Sequence, residues 1–121
     1  MTKRILIIED TEDNRQIMRD LLTAADYVVL EAHDGRAGVA AAEMHVPDLI
    51  LMDIQLPEID GYEATRRIKA QPALAKIPIL AVTSYALSGD EDKAKAAGCD
   101  GYVTKPFSPR DLLARIRSFI G

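Results

Sequence analysis

Asp48-Leu49-Ile50-Leu51-Met52-Asp53 sets four apolar side chains in unbroken succession between two carboxylates. A strand with one face in water alternates apolar and polar residues. A strand apolar on both parities is covered on both faces, as in a parallel sheet packed between helices. The run stops at Asp53, a lone acid at the strand's carboxyl end.

Working outward, the same reading applies to Ile5 to Ile8 and Ile79 to Val82, with shorter β-branched or aromatic runs at Val28 to Leu30 and at Tyr102-Val103. Between and after these lie segments with helical spacing: Ile17, Met18, Leu21 and Leu22; Ala37, Ala40, Ala41 and Met44; Tyr62, Thr65, Arg66 and Ile68; Leu87, Ala94 and Ala97, the weakest; and Leu112, Leu113, Ile116 and Ile120. Turn residues fall where this alternation needs them. Asp34-Gly35 opens the second helix, Pro47-Asp48 and Ile77-Pro78 precede the third and fourth strands, and Gly98 closes the fourth helix. Five βα units fill residues 1–121, which predicts one doubly wound α/β domain with a five-stranded parallel sheet.

Composition narrows the function. The chain has 121 residues and is 48% hydrophobic, enough for one core without disulfide or metal staples. Its 19 acids outnumber its 15 bases, so no broad cationic field gathers nucleic acid. A single cysteine, Cys99, excludes an internal disulfide and fits a reducing, cytoplasmic setting. The apolar run after Met1-Thr2-Lys3-Arg4 is too short for a signal peptide, and no stretch is long enough to cross a bilayer. There is no linker or low-complexity tract. If Gly121 is the natural end, the signal leaves through contacts with another protein.

Ligands of a doubly wound sheet bind beyond the carboxyl ends of its strands. Those positions hold Glu9 and Asp10 after the first strand, Asp53 after the third, Thr83 and Ser84 after the fourth, and Lys105-Pro106 after the fifth. Three carboxylates sharing a pocket repel unless a cation or protons neutralise them. Mg²⁺ answers that need with oxygen ligands and leaves room for a phosphoryl group. Asp53 is the candidate nucleophile, since a carboxylate can carry a phosphoryl group, and the Lys105 ammonium and Thr83 hydroxyl can meet phosphoryl oxygens.

The pattern resembles the receiver domains of two-component response regulators. The likeness rests on Glu9-Asp10; Leu51-Met52-Asp53 with Leu56-Pro57 and Asp60-Gly61; Val82-Thr83-Ser84; and Thr104-Lys105-Pro106, and it spans Arg4 to Ile120. The run Asp48 to Glu58 resembles most the single-domain DivK-like regulators of alphaproteobacteria. The resemblance implies a flavodoxin-like (βα)5 receiver fold. It further implies Asp53 as phosphoacceptor and Mg²⁺ held by Asp10 directly, Glu9 through water, Asp53 and the Gln55 carbonyl. Thr83 and Lys105 become the phosphoryl-sensing pair, Tyr102 the switch aromatic that follows Thr83, and Lys105-Pro106 a cis peptide. The implied donor is a phosphohistidine on a sensor histidine kinase or histidine phosphotransfer protein, docking on Asn14, Arg15, Met18, Phe107 and Pro109. A downstream protein partner receives the signal, without direct nucleic-acid or membrane binding. The chain would be no enzyme in the ordinary sense, assisting its own phosphotransfer and dephosphorylation.

Plainer readings compete at several positions. Glu12 and Asp13 read as a solvated acidic turn favouring the positive end of the first helix. Thr83 or Lys105 alone would be a strand-end hydroxyl or a surface lysine, but together with Asp53 they form a constellation. Tyr102 by itself reads as a half-buried strand aromatic with its hydroxyl in water. His33 and His45 lack partners at zinc spacing and read as surface residues, and Cys99 as a small buried one. A phosphatase of haloacid-dehalogenase type would need an acid two residues after Asp53, where Gln55 stands. A flavin-binding site would need a phosphate-cradling loop where Glu9-Asp10-Thr11-Glu12-Asp13 would repel phosphate. A phosphorylation-independent interaction module of the same fold is the remaining rival, and its mark would be a lost acid, threonine or lysine.

Overall fold

The structure, a computed structural model, describes residues 2–84 and 90–121. In chain order the elements are β1 (Arg4–Ile8), α1 (Glu12–Ala24), β2 (Val28–Ala32), α2 (Gly35–His45), β3 (Leu49–Asp53), α3 (Gly61–Lys69), β4 (Ile79–Thr83), α4 (Asp90–Ala97), β5 (Gly101–Thr104) and α5 (Pro109–Ile120). The strands form one sheet in the order β2-β1-β3-β4-β5, every pair parallel. Leu87, assigned above to the fourth helix, lies outside the described residues.

The unbroken apolar runs occupy the sheet's interior. Every residue of β3 and β4 is buried, as is all of β1 beyond Arg4, whereas the edge strands β2 and β5 are partly exposed. Alternate residues of each central strand feed opposite cores. Leu6, Ile8, Ile50, Met52 and Ala81 pack with Ala42, Ala64, Ile68 and Ala94 from α2, α3 and α4. Ile5, Ile7, Leu49, Leu51, Leu80 and Val82 pack with Met18, Leu22, Leu112 and Ile116 from α1 and α5.

Helix starts follow their capping chemistry. Asp34 accepts from the Ala37 N–H at 2.7 Å, Asp60 from the Glu63 N–H at 2.9 Å, and Ser108 from the Asp111 N–H ahead of a first turn opened by Pro109. Gly98 follows α4 with φ +107°, a left-handed conformation suited to glycine after a helix. At the end of α2 the left-handed position is Val46, and the Arg4 guanidinium donates to the His45 and Val46 carbonyls there. Arg4 thus extends β1 one residue beyond the apolar run while covering a helix end. Among the described residues no helix is long and apolar enough to cross a membrane.

Candidate functional site

The chain crosses the sheet between β1 and β3, running β1 to β2 on one side and then to β3 on the other. Beyond the carboxyl ends of these strands the main chain turns away and leaves a crevice. Glu9, fully buried, continues β1. Asp53 ends β3 at 5% exposure, and Thr83 ends β4 at 3%. Asp10 is exposed at the rim. One carboxylate oxygen from each of Glu9, Asp10 and Asp53 lies within 4.8 Å of the other two.

The positive charge in the pocket is Lys105, brought in by the turn after β5. Its Nζ lies 2.7 Å from Glu9 Oε1 and 3.8 Å from Asp53 Oδ2. The sequence pointed Lys105 toward Asp53, but its closer partner is Glu9. The Lys105 N–H donates to the Thr83 carbonyl at 2.6 Å, tying the ends of β4 and β5 together, and the Lys105-Pro106 peptide is cis as the resemblance implied.

The carboxyls are driven in opposite directions. Burial pushes Asp53 up to about 7, helped by neighbouring Glu9 and opposed by the Gln55 N–H, which donates to Oδ1 at 3.0 Å, and by Lys105. Burial acts on Glu9 in the same sense, but hydrogen bonds from Lys105 and from the Thr11 N–H overcome it and hold the group at about 2. Asp10 is raised, mainly by Glu9 beside it. Among the described residues, one cation for three acids leaves the pocket short of positive charge. Three hard oxygen donors at this separation fit a hard divalent cation such as Mg²⁺.

The loop after Asp53 is held against the strand end by Gly61. A Cβ there would stand 2.3 Å from the Asp53 carbonyl oxygen and 2.7 Å from Ile54 Cα, so only glycine allows this approach. The Gly61 N–H donates to the Ile54 carbonyl at 2.9 Å, and the Ile54 N–H to Val82 at 3.1 Å. Gln55 is thereby placed beside Asp53 through its backbone. Asp60-Gly61 stood in the sequence pattern, but the contact that demands the glycine did not.

Other expected residues fall as follows. Tyr102 is half-buried on β5, in register with Ala81, and lines a groove of about 500 Å³ with Thr104, Phe107, Asp111 and Arg115. Asn14, Met18, Phe107 and Pro109 meet in a second, largely apolar groove of about 410 Å³, joined by Ile17 and Ser84. Arg15 does not line it and bonds instead to Glu12 and to the Glu9 main chain. Glu12 and Asp13 open α1, with Glu12 paired to Arg15 and Arg19. His33 is exposed and His45 half-buried. Cys99 is buried with its sulfur 3.7 Å from Thr65 Oγ1, and burial pushes its thiol up.

Among the described residues, three gathered acids with one lysine beside them, at the switch point of a parallel five-stranded sheet, have the chemistry to fit a cation and an anionic group together. The chain belongs to the response regulator receiver domain family, whose model matches residues 5–117. Receiver domains are the phosphorylation-dependent switches of two-component signalling. The chain is 42% identical over 121 residues to the polar-differentiation response regulator DivK of Brucella ovis, covering 100% of this chain and 98% of the relative. The receiver domain of the sensor histidine kinase PA1611 from Pseudomonas aeruginosa, solved with a magnesium ion coordinated in its active-site cleft, is 38% identical with a TM-score of 0.93, covering 100% and 99% of the two chains. The chemotaxis protein CheY4 of Vibrio cholerae gives a TM-score of 0.94 at 29% identity over 99% of this chain and 100% of that one.

Proposed function

We propose that residues 1–121 act as a single receiver domain that takes a phosphoryl group from a phosphohistidine onto Asp53 and changes its protein-binding surface in response. The observation that carries this reading is the convergence of Glu9, Asp10 and Asp53 oxygens within 4.8 Å, with Lys105 alongside. The Asp53 carboxylate forms the new O–P bond as the P–N bond of the phosphohistidine breaks, and the imidazole leaves. Mg²⁺, when bound, supplies positive charge against the carboxylates and the phosphoryl oxygens. Glu9, Asp10, Asp53 and the Gln55 carbonyl would hold it. The magnesium in the PA1611 receiver domain supports that choice of ion.

In this reading the Lys105 ammonium shifts from Glu9 toward a phosphoryl oxygen, and the Thr83 hydroxyl bonds another. Tyr102 follows Thr83 and re-shapes the surface around β5 and α5. The donor is a sensor histidine kinase or a histidine phosphotransfer protein, docking on the apolar groove of Asn14, Met18, Phe107 and Pro109. A downstream protein in the cytoplasm reads the other face. The domain assists its own phosphotransfer and dephosphorylation and turns over no separate substrate.

Intact mass after incubation with acetyl phosphate tests the site. Wild type with Mg²⁺ gains one base-labile phosphoryl group, whereas Asp53→Asn and wild type in chelator gain none. A gain in the Asn variant would move the phosphoacceptor elsewhere. No gain under any condition, including with a phosphohistidine protein donor, would favour a constitutive interaction module.

A further inference from the structure

Glu9 and Asp10 lie on the turn between β1 and α1, so their aim depends on what holds that turn. Thr11, at the N-cap of α1, makes no side-chain capping hydrogen bond. Arg15 reaches back from the helix instead, and its Nη1 donates to the Glu9 main-chain oxygen at 2.8 Å. On the opposite side of the same residue, the Glu9 N–H donates to Ala32 of β2 at 3.1 Å. The Glu9 backbone is therefore gripped from a neighbouring strand and from the following helix.

The guanidinium is itself fixed. Its Nη2 lies 2.5 Å from Glu12 and its Nε 3.5 Å from Glu31 on β2. Arg19 shares both acids, at 2.9 and 2.7 Å, but among the described residues its side chain is hydrogen-bonded to Glu12 and Glu31 and not to the Glu9 main chain. The Arg15 side chain is 15% exposed against 34% for Arg19.

We infer that Arg15 is a positioning residue for the cation site, holding Glu9 and Asp10, through the Glu9 main-chain oxygen, where their carboxylates converge with that of Asp53. The inference rests on the Mg²⁺ reading of the pocket. Two effects of the guanidinium run in opposite directions. As a charge it repels a cation, so its removal would tighten Mg²⁺ binding. As a positioner it keeps the ligands gathered, so its removal weakens binding. The cation acting on all three carboxyls is Lys105. Arg15 is engaged by Glu12, Glu31 and the main chain, so the positional effect prevails.

Calorimetric titration with Mg²⁺ decides the matter, run on wild type, Arg15→Ala, Arg15→Lys and Arg19→Ala beside urea unfolding of each. Arg15→Ala weakens Mg²⁺ binding about tenfold, and Arg15→Lys, which keeps one donor, recovers part of the loss. Arg19→Ala removes ion pairs to the same two acids without touching Glu9 and keeps wild-type affinity, even where its stability falls as far. Equal Mg²⁺ affinity in Arg15→Ala and Arg19→Ala, or tighter binding in Arg15→Ala, overturns the inference. Should Arg15→Ala fail to fold, Arg15→Lys and Arg15→Gln carry the comparison, and affinities matching Arg19→Ala in both overturn it. Wild type that binds no Mg²⁺ overturns the site reading itself, an outcome distinct from the others.

Discussion

Asp53 and Glu9 share a pocket and are both buried; burial raises Asp53 to about 7, whereas at Glu9 the hydrogen bond from Lys105, with that from the Thr11 N–H, outweighs burial and holds the group at about 2. The consequence for stability has a definite sign. A carboxyl with a raised native pKa binds more protons folded than unfolded between the two values, so stability falls as pH rises through that window. For Asp53 the window runs from its ordinary 3.8 to about 7, and above it the penalty is complete. Asparagine carries no such penalty and can still accept from the Gln55 N–H. In chelator, Asp53→Asn should therefore be the more stable protein at pH 8, by up to about 4 kcal/mol, and should lose most of that advantage at pH 4.5. Urea midpoints at the two pH values measure this, and an advantage independent of pH would mean that Asp53 is not raised. Added Mg²⁺ should narrow the gap at pH 8 by stabilising the wild type through mass action. The sequence shows that these acids gather at adjoining strand ends, because strand ends follow from apolar runs. Which acid takes the lysine is not legible there. It depends on the reach of side chains across three strands, and the buried Glu9 carboxylate meets Lys105 at 2.7 Å while Asp53 stays at 3.8 Å.

Elements were most legible where burial leaves a local mark. β1, β3 and β4 read directly from consecutive apolar residues, and α2 from Asp34-Gly35, because both faces of a central strand and the start of a helix each impose residue types on a few adjacent positions. In the connection between α3 and β4 only its last step, Ile77-Pro78, left such a mark. Leu74 within it is 2% exposed and joins the core. Lys69, a surface lysine by type, donates to the Ala75 and Ile77 carbonyls and to Asp100. Those contacts depend on how α3, α4 and β4 come together, which no periodicity encodes. The Gly61 contact is of the same kind and has a measurable consequence. A methyl group at Gly61 would overlap the backbone of Asp53 and Ile54, at 2.3 and 2.7 Å, and backbone cannot rotate aside as a side chain can. Gly61→Ala should cost about 1–3 kcal/mol by urea unfolding and also weaken Mg²⁺ binding, because the loop that moves carries Gln55 and begins at Asp53. A variant with wild-type stability and Mg²⁺ affinity would mean that α3 yields freely and that the approach of Gly61 does not set the site.

Across the whole molecule, the site and the candidate output face are joined through β4 and β5. Thr83 ends β4 in register with Thr104, Ala81 is in register with Tyr102, and the Lys105 N–H is bonded to the Thr83 carbonyl. In the proposed switch a phosphoryl group on Asp53 draws Thr83 and Lys105, which lie at the ends of both strands, while Tyr102 lines the groove beside β5 and α5. Such a change alters a partner's affinity only insofar as that partner binds the two states unequally. Thr83→Ala separates chemistry from readout, because Asp53, its acidic neighbours and Lys105 remain while one link from the phosphoryl group to β5 is lost. Hydrogen exchange with and without acetyl phosphate, both in Mg²⁺, follows the readout directly. In wild type, phosphorylation should change amide protection over residues 101–116, and in Thr83→Ala it should leave that segment nearly unchanged although intact mass reports the same phosphoryl gain. If the variant is phosphorylated and shows the wild-type pattern of protection, Thr83 does not carry the signal and the route must run through Lys105. If the variant is not phosphorylated at all, Thr83 belongs to the transfer chemistry, and coupling would then be read from Tyr102→Ala in the same experiment.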